Sequence, residues 1–594
     1  MALAVYTSCE DKVGDNIYTK KLDLIGEYME HHPDHYSGFY ALLEKTEMLG
    51  LMNSYGAYTC FIPNNEAVDE YFKNSEFGSM ENYPVDSLKK IVLYQIIEND
   101  TISTSEFTGD RLRTTNMMGD FLQVKQVGAD IIINNLAKIL LRDQIVKNGI
   151  IHETDAFLFP DKDNVVGKLD NEGANSRYSI FSEALKETGI SALLDRSLDP
   201  REFSYTKTEN EVPVKVIIPK LYRYTLLVES DELYRKKGIN NYEDLKKRYA
   251  GADNNVTNPK NGLYRFIAYH CLDRQYTYTQ FGKFAEQDGY EIVETMCENT
   301  LLEFRNYPEG IVFNRFTDDE GQVIYPGSKV TSNYDHRNIM ANNGMLHEID
   351  SLLEIPDQNK YFHKKMRFNV ASFLPELMNN GYRGYESLEL PNAMLKGPQY
   401  FDNLTITGEA GYVIPKYDYT SQWIRHQYDE ILIGAGYSPW EQETTGKLWG
   451  GTRYDVKLVL PPFPEGTWEV RFGYTSNQYR GMAQIFMDNE PAGVPLWMGP
   501  VTTAYYGIDG MDEETARKVL YNNSYMPYPS HITNGSGSAA LYTSVDRLRR
   551  IIGTYSWDEM KKHVLRFKSV EAGQLSLNFI ELIPVELISE EGTD

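Results

Sequence analysis

An eight-residue pattern occurs twice in this chain. Asn148-Gly149-Ile150-Ile151-His152-Glu153-Thr154-Asp155 returns 195 residues later as Asn343-Gly344-Met345-Leu346-His347-Glu348-Ile349-Asp350. Each copy runs on into an apolar stretch closed by proline, Ala156 to Pro160 and Ser351 to Pro356. A solenoid unit would recur every ~20–50 residues, so this period is that of a whole domain. The front of the chain is expected to fold as two copies of one domain.

At about 150 residues per domain, a chain of 594 residues implies three or four. The formal charge of −26 argues against a nucleic-acid partner, because phosphates demand clustered Lys and Arg. No apolar run approaches the roughly 20 residues of a membrane-spanning helix. The four cysteines, Cys9, Cys60, Cys271 and Cys297, form no CxxC pair, so neither a zinc ribbon nor a thioredoxin-type site is indicated. Cys60 sits in an apolar strand-like run and reads as a small core residue. Asp161-Lys162-Asp163-Asn164 begins like a calcium loop, but Val165 stands where an oxygen ligand is required. No metal and no cofactor are expected.

Within the first copy, Tyr58 to Ile62 reads as a buried strand. Pro63 marks a turn, and Asn64 or Asn65 can cap the following helix. Ser87 to Ile97 has helical spacing on its apolar side. Leu112 to Leu141 is strand-rich, with turns at Met118-Gly119-Asp120 and Gly128-Ala129-Asp130. This order resembles the fasciclin-like family, whose motifs are a strand before Pro-x-Asn-x-Ala, a helix ending near Tyr-His, and Asn-Gly-x-x-His-x-x-Asp. Residues about 35–160 carry all three in order. In the second copy, Tyr224 to Leu233 lacks the proline, the middle motif is Phe266-Ile267-Ala268-Tyr269-His270, and the last runs from Asn343 to Asp350. The second copy has grown: Thr225 to Tyr269 spans 44 residues against 35 from Thr59 to Tyr94, and Tyr269 to Asn343 spans 74 against 54. The extra length falls in polar, tyrosine-rich stretches such as Asp273 to Thr279, and inserted surface loops often carry binding.

The pairs His152/Asp155 and His347/Asp350 have the composition of acid–base or metal chemistry. Because both copies end a domain identically, they are read as fold-defining hydrogen bonds. The resemblance implies binding of proteins or surfaces, and it links Tyr-His to adhesion. Only Tyr269-His270 keeps that pair, since Gln95 follows Tyr94.

All six tryptophans lie after residue 420, so the last third is a separate domain. Short alternating strands at Tyr454–Leu460, Gly466–Tyr474, Ala483–Asp488, His563–Phe567 and Leu575–Leu582 predict an antiparallel β-sandwich. Glu469-Val470-Arg471-Phe472 and Asn578-Phe579-Ile580-Glu581-Leu582 resemble the galactose-binding-like sandwiches of carbohydrate-binding modules. An aromatic face can stack on the C–H face of a sugar. Trp468, in line with Val470, Phe472 and Tyr474, reads as core. Trp440, Trp449 and Trp497, with Tyr437, Tyr479 and Arg480, are the glycan-binding candidates.

Met1 to Lys12 resembles the back half of a bacterial lipoprotein signal, with Cys9 as lipid acceptor and Glu10-Asp11 similar to the surface-export signal of Bacteroidetes lipoproteins. The expected organisation is α+β: a tether over 1–20, fasciclin-like domains over 21–160 and 172–357, and the sandwich over 365–590. The expected function is non-catalytic: a lipid-anchored protein of the bacterial outer-membrane surface that binds glycan or partner proteins. By analogy it would serve a starch-utilisation-type porin and its lid. The alternatives are a cell-surface adhesin with protein ligands and, behind it, a glycoside hydrolase, for which no carboxylate pair stands out.

Overall fold

The computed structural model describes residues 22–590 apart from 108–110, 171–175, 210–211, 286–287, 319, 382, 384–399, 408–430, 434–453, 477–479, 500–506, 509, 528, 530–546, 572 and 574. The fold class is α+β, as expected. The chain divides into two compact units, Met1–Pro160 and Asp161–Asp594.

In the first unit a seven-stranded sheet carries Tyr58–Pro63 near one edge, hydrogen-bonded in parallel to the last strand, Gly149–Thr154. Every residue of Tyr58–Pro63 is buried. Alternation divides the strand between two cores. Tyr58, Cys60 and Ile62 face the helices Ile25–His31, Pro33–Lys45 and Val85–Tyr94, while Phe61 joins Leu112, Leu122 and Ile133 on the other side. Cys60 is the expected core residue, and burial pushes its thiol up to about 12. Asn64 caps the helix Asn65–Asn74 by accepting from Ala67 N at 2.9 Å. Asn65 does other work: its carboxamide donates to Pro33 O and Asp34 O and accepts from Gly38 N.

The second copy repeats this plan. Tyr224–Glu229 pairs in parallel with Gly344–Ile349, and the two registers correspond: Tyr58 faces Gly149 and Tyr224 faces Gly344. Here the sheet is split into four strands around that pair and four more from Glu291–Glu294 to Ser328–Lys329. The copy starts earlier than the expected residue 172. The helix Val165–Asp170 already belongs to it, held by Val165 N donating to Asn343 Oδ1 at 2.9 Å. The aspartates of the calcium-like stretch flank Lys168 instead, with Asp161 at 2.6 Å. A hairpin, Phe203–Glu209 with Val212–Ile218, is inserted before the first strand of the pair and was not anticipated.

Behind it, two antiparallel sheets form the expected sandwich. One holds Met366–Asn369, Phe579–Pro584, Gly466–Thr475, Arg547–Trp557 and Tyr525–Pro527 in that order; the other is built on Leu404–Thr407, Asp455–Val459, Val564–Ser569 and Met482–Met487. The inner face of the first sheet supplies Phe368, Trp468, Val470, Phe472, Ile580 and Leu582 to a core that also takes in Phe203, Ile292, Leu301, Phe316 and Phe362 of the second copy. That shared core makes one body of what the sequence divided at 357–365. Ion pairs tie the same junction: Arg383 with Glu291 at 2.7 and 2.8 Å, Lys220 with Glu376 at 3.1 Å, and Lys562 with Glu294 at 2.6 Å.

The opposite face of the five-stranded sheet is charged and buried. Arg367 and Arg471 stand directly across from Glu581 on its two neighbouring strands. Glu581 accepts from Arg367 Nη2 at 2.5 Å, Arg471 Nη1 at 2.8 Å and Arg549 Nη1 at 2.9 Å. Asp288 pairs with Arg367 and Glu469 with Arg471, so three guanidiniums meet three carboxylates. The Glu-Val-Arg-Phe and Ile-Glu-Leu strands thus carry a charge-balanced network. Burial alone would raise the Glu581 carboxyl, but Arg549, Arg367 and Arg471 hold it well below its ordinary value. Glu581→Gln leaves three buried guanidiniums short of a counter-charge and is expected to cost roughly 3–5 kcal/mol, read as a lowered urea midpoint for the second unit. Because the carboxyl is depressed, its contribution persists above its unfolded value of about 4.3 and is lost only as pH falls through the lower folded value.

Candidate functional site

The repeated motif places the same polar atoms in both copies. Asn148 accepts from Ile25 N and donates to Met52 O and Ser54 O at 2.8–2.9 Å. Asn343 accepts from Val165 N and donates to Leu194 O and Arg196 O at 2.7–3.1 Å. Gly149 and Gly344 follow because a Cβ there would lie 2.2 Å from the carbonyl oxygen of Tyr58 or Tyr224. His152 Nε2 donates to Ile102 O at 3.0 Å while its Nδ1 accepts from Asp143 N at 3.3 Å. His347 does the same with Tyr276 O at 2.9 Å and Asn338 N at 3.4 Å. These partners fix the Nε2–H tautomer in both rings. Asp155 and Asp350 accept from Lys138 N and Lys329 N, and Glu153 and Glu348 accept from Tyr36 OH and Tyr178 OH at 2.9 Å. The motif holds backbone and offers no free base. Burial also lowers the His152 pKa, the Ile102 contact only partly offsetting it.

Tyr269 and His270, expected as an interaction motif, are both fully buried, so neither side chain can touch a partner. Their role is internal. Tyr269 OH donates to Leu301 O and accepts from Asn314 Nδ2, each at 2.8 Å. His270 Nε2 lies 2.7 Å from Glu229 Oε1, which also accepts from Leu353 N at 3.1 Å. Glu229 occupies the strand position of Pro63, since Pro63 faces Thr154 as Glu229 faces Ile349. In the first copy Gln95 performs the bridge alone, donating to Leu158 O at 2.9 Å and accepting from Leu158 N at 2.8 Å. The missing proline and the retained Tyr-His are therefore one coupled exchange.

Of the glycan-binding candidates, Tyr437, Trp440, Trp449 and Tyr479 lie outside the described residues, as does Cys9, the expected lipid acceptor. Trp497 stands on the edge strand Leu496–Trp497, 37% exposed, with its ring over Gly499. Arg480 is buried and donates from Nε to Thr475 O at 2.9 Å, which ties it to the end of the strand Gly466–Thr475. Trp468 is core, its Nε1 donating to Pro464 O at 3.1 Å. Sequence reasoning passed over Trp557. It is half-buried, parallel to Tyr555 within 4° at 5.9 Å, and 4.1 Å from the His563 ring. His563 Nδ1 donates to Asp488 at 2.6 Å. The Tyr555-Ser556-Trp557 alternation was the available signal. A small pocket at the junction is lined by Arg274, Glu294, Ser372 and Asn403; within it Arg274 already donates to Ser372 O and Glu294 already holds Lys562.

The Fasciclin domain model matches residues 34–160. Human periostin is 25% identical over 182 residues, covering 30% of this chain and 20% of periostin's length. The chain thus spans about a fifth of that curated relative. Among solved structures, the FAS1 domain pair of the insect cell adhesion molecule fasciclin I is 18% identical, covering 54% of this chain and 96% of its own, with a TM-score of 0.23. A family 35 carbohydrate-binding module from Clostridium thermocellum is 6% identical, covering 26% of this chain and 93% of its own, with a TM-score of 0.13.

Two outcomes follow. A double-mutant cycle with His270→Gln and Glu229→Ala is expected to give a coupling energy of roughly 0.5–3 kcal/mol in denaturant titrations; additive losses would dissolve the proposed exchange. For His152, the folded pKa lies below the ordinary 6.5, so below that pH the unfolded chain takes up a proton that the folded chain refuses. Stability of the first unit should fall with pH below about 6.5 more steeply in the native protein than in His152→Gln.

Proposed function

We propose that the chain is a non-catalytic binding protein of the bacterial cell surface, anchored in the outer membrane through acyl chains on Cys9, which captures glycan with its carboxy-terminal sandwich. In this reading it is an accessory of a porin-and-lid uptake complex. The Fasciclin domain over residues 34–160 supports the broader statement, a binding or adhesion role without turnover. One observation carries the choice of binding over chemistry. Both copies of the histidine–carboxylate motif, the most enzyme-like pattern in the sequence, are occupied with backbone partners.

The glycan assignment rests on the aromatic surface of the sandwich. Trp497 is exposed on an edge strand, and Trp557 with Tyr555 is half-exposed elsewhere on the same domain. Such rings stack on sugar C–H faces and leave the hydroxyls to polar neighbours. The Fasciclin match is also compatible with a second reading, an adhesin whose sandwich grips protein.

Glycan arrays probed with the purified chain separate the two. Replacing Trp440, Trp449 and Trp497 by alanine is expected to abolish binding of neutral glycans while leaving the thermal transition of the first unit unmoved. Undiminished binding by the triple variant, or turnover of any arrayed sugar, would overturn the reading.

A further inference from the structure

One surface of the second repeat combines features that its fold does not require. Arg337 follows the short turn Tyr334–His336, and its guanidinium carbon lies 3.9 Å from the ring centroid of Tyr278 and 3.9 Å from that of Tyr334. Tyr334 is 73% exposed. Asn338, at φ 53°, ties the two segments together by accepting from Tyr278 N at 2.8 Å. Among the described residues, no acceptor reaches the Arg337 guanidinium.

The first copy shows that the scaffold does not need the tyrosines around this arginine. Asp143 there matches Asn338: it has φ 58°, its N donates to the motif histidine, and its carboxylate accepts from Thr104 N at 2.7 Å. The positive-φ residue that donates to the motif histidine is thus present in both copies, with Arg142 and Thr104 at the places of Arg337 and Tyr278. Only the second copy surrounds its arginine with tyrosines. This is also the stretch that is 74 residues long against 54.

A guanidinium held against aromatic rings keeps its N–H edges available and has little side-chain freedom left to lose on binding. Those edges match a carboxylate, which accepts two parallel N–H bonds. The exposed Tyr334 ring offers an apolar face of the kind a pyranose C–H surface covers. We propose that Tyr278, Arg337 and Tyr334 form a binding site for a uronic-acid unit of a glycan, Arg337 gripping the carboxylate and Tyr334 the sugar ring. The proposal rests on the glycan reading above and assigns it a ligand class and a second location. With Asp335 exposed beside the site and a formal charge of −26 on the chain, long-range repulsion opposes densely charged polymers; a single carboxylate on a neutral glycan is favoured.

Calorimetry of the full chain with an otherwise neutral oligosaccharide bearing one glucuronate, and with its methyl ester, tests the site. The free acid is expected to bind roughly tenfold tighter or better, as charge-assisted hydrogen bonds would give. Arg337→Lys keeps the charge but loses the planar fork, and should erase that preference. Tyr334→Ala should weaken both ligands, with the unfolding midpoint of each variant unchanged. The preference should survive in the Trp440, Trp449 and Trp497 triple variant. Equal binding of acid and ester, an unaltered preference in Arg337→Lys, or equally tight binding of a glutamate-rich peptide would overturn the proposal. If neutral glycans still bind through the sandwich tryptophans, only this inference falls; if no sugar binds at all, the broader reading falls with it.

Discussion

The first unit depends on a parallel hydrogen-bonded pair whose strands stand about 90 residues apart in sequence, Tyr58–Pro63 against Gly149–Thr154. Adjacent parallel strands always require a long crossover, and here more than half of the domain is that crossover. The entropy of closing so long a loop must be met at the pair itself. Both strands are almost entirely buried, so their ends cannot turn to water for hydrogen bonds. Asn148 closes one end, His152 ties the middle to the loop at Ile102, and Asp155 closes the other. The close approach of Gly149 to the Tyr58 carbonyl is the steric condition for all of it. The second copy meets the same condition with Asn343, His347, Asp350 and Gly344.

Where a task can be done by more than one chemical group, the copies diverge. The strand end at Pro63 has no side-chain acceptor, so Gln95 reaches Leu158 with both amide atoms. With Glu229 at that place, a carboxylate is buried and needs donors; His270, Tyr234 OH and Leu353 N supply them. An imidazole and a carboxylate together replace one carboxamide. Read as sequence, this is one lost motif and one retained motif. As structure it is a single substitution spread over two positions.

The duplication and the closing strands were legible because one short peptide makes many backbone contacts, which constrains its residues strongly. The sandwich strands were legible too, since Gly466–Thr475 alternates apolar with polar residues and Met482–Met487 alternates half-buried with buried ones. What lay beyond reach was register. Nothing local says that Arg367, Arg471 and Arg549 converge on Glu581; that follows only from which residues face each other across the strands. Burial at a helix end was equally hidden. His270 sits at the C-cap of Gly262–Tyr269, where periodicity cannot tell a core residue from a surface one, so nothing local corrects the contact role that the resemblance implies for Tyr269-His270. The hairpin Phe203–Glu209/Val212–Ile218 was missed because Pro213 demotes a strand reading, although that proline faces Thr208 within the pairing.

The treatment of charge separates structure from binding. Within the second unit, two sets of buried ions meet opposite ions: three arginines face three carboxylates around Glu581, and Arg383 takes both oxygens of Glu291. Removing one partner of such a buried pair costs roughly 3–5 kcal/mol. A surface charge faces no such demand, so its position is free to answer to something else. In a chain where acids outnumber bases 85 to 59, acceptors for a surface arginine are plentiful. Arg337 is nonetheless held 3.9 Å from each of two tyrosine rings, with no acceptor at its guanidinium among the described residues. The matching Arg142 beside Asp143 has no such pair of tyrosines among the described residues, so folding does not ask for the aromatic clamp, and recognition of an external anion is the physical use proposed for it.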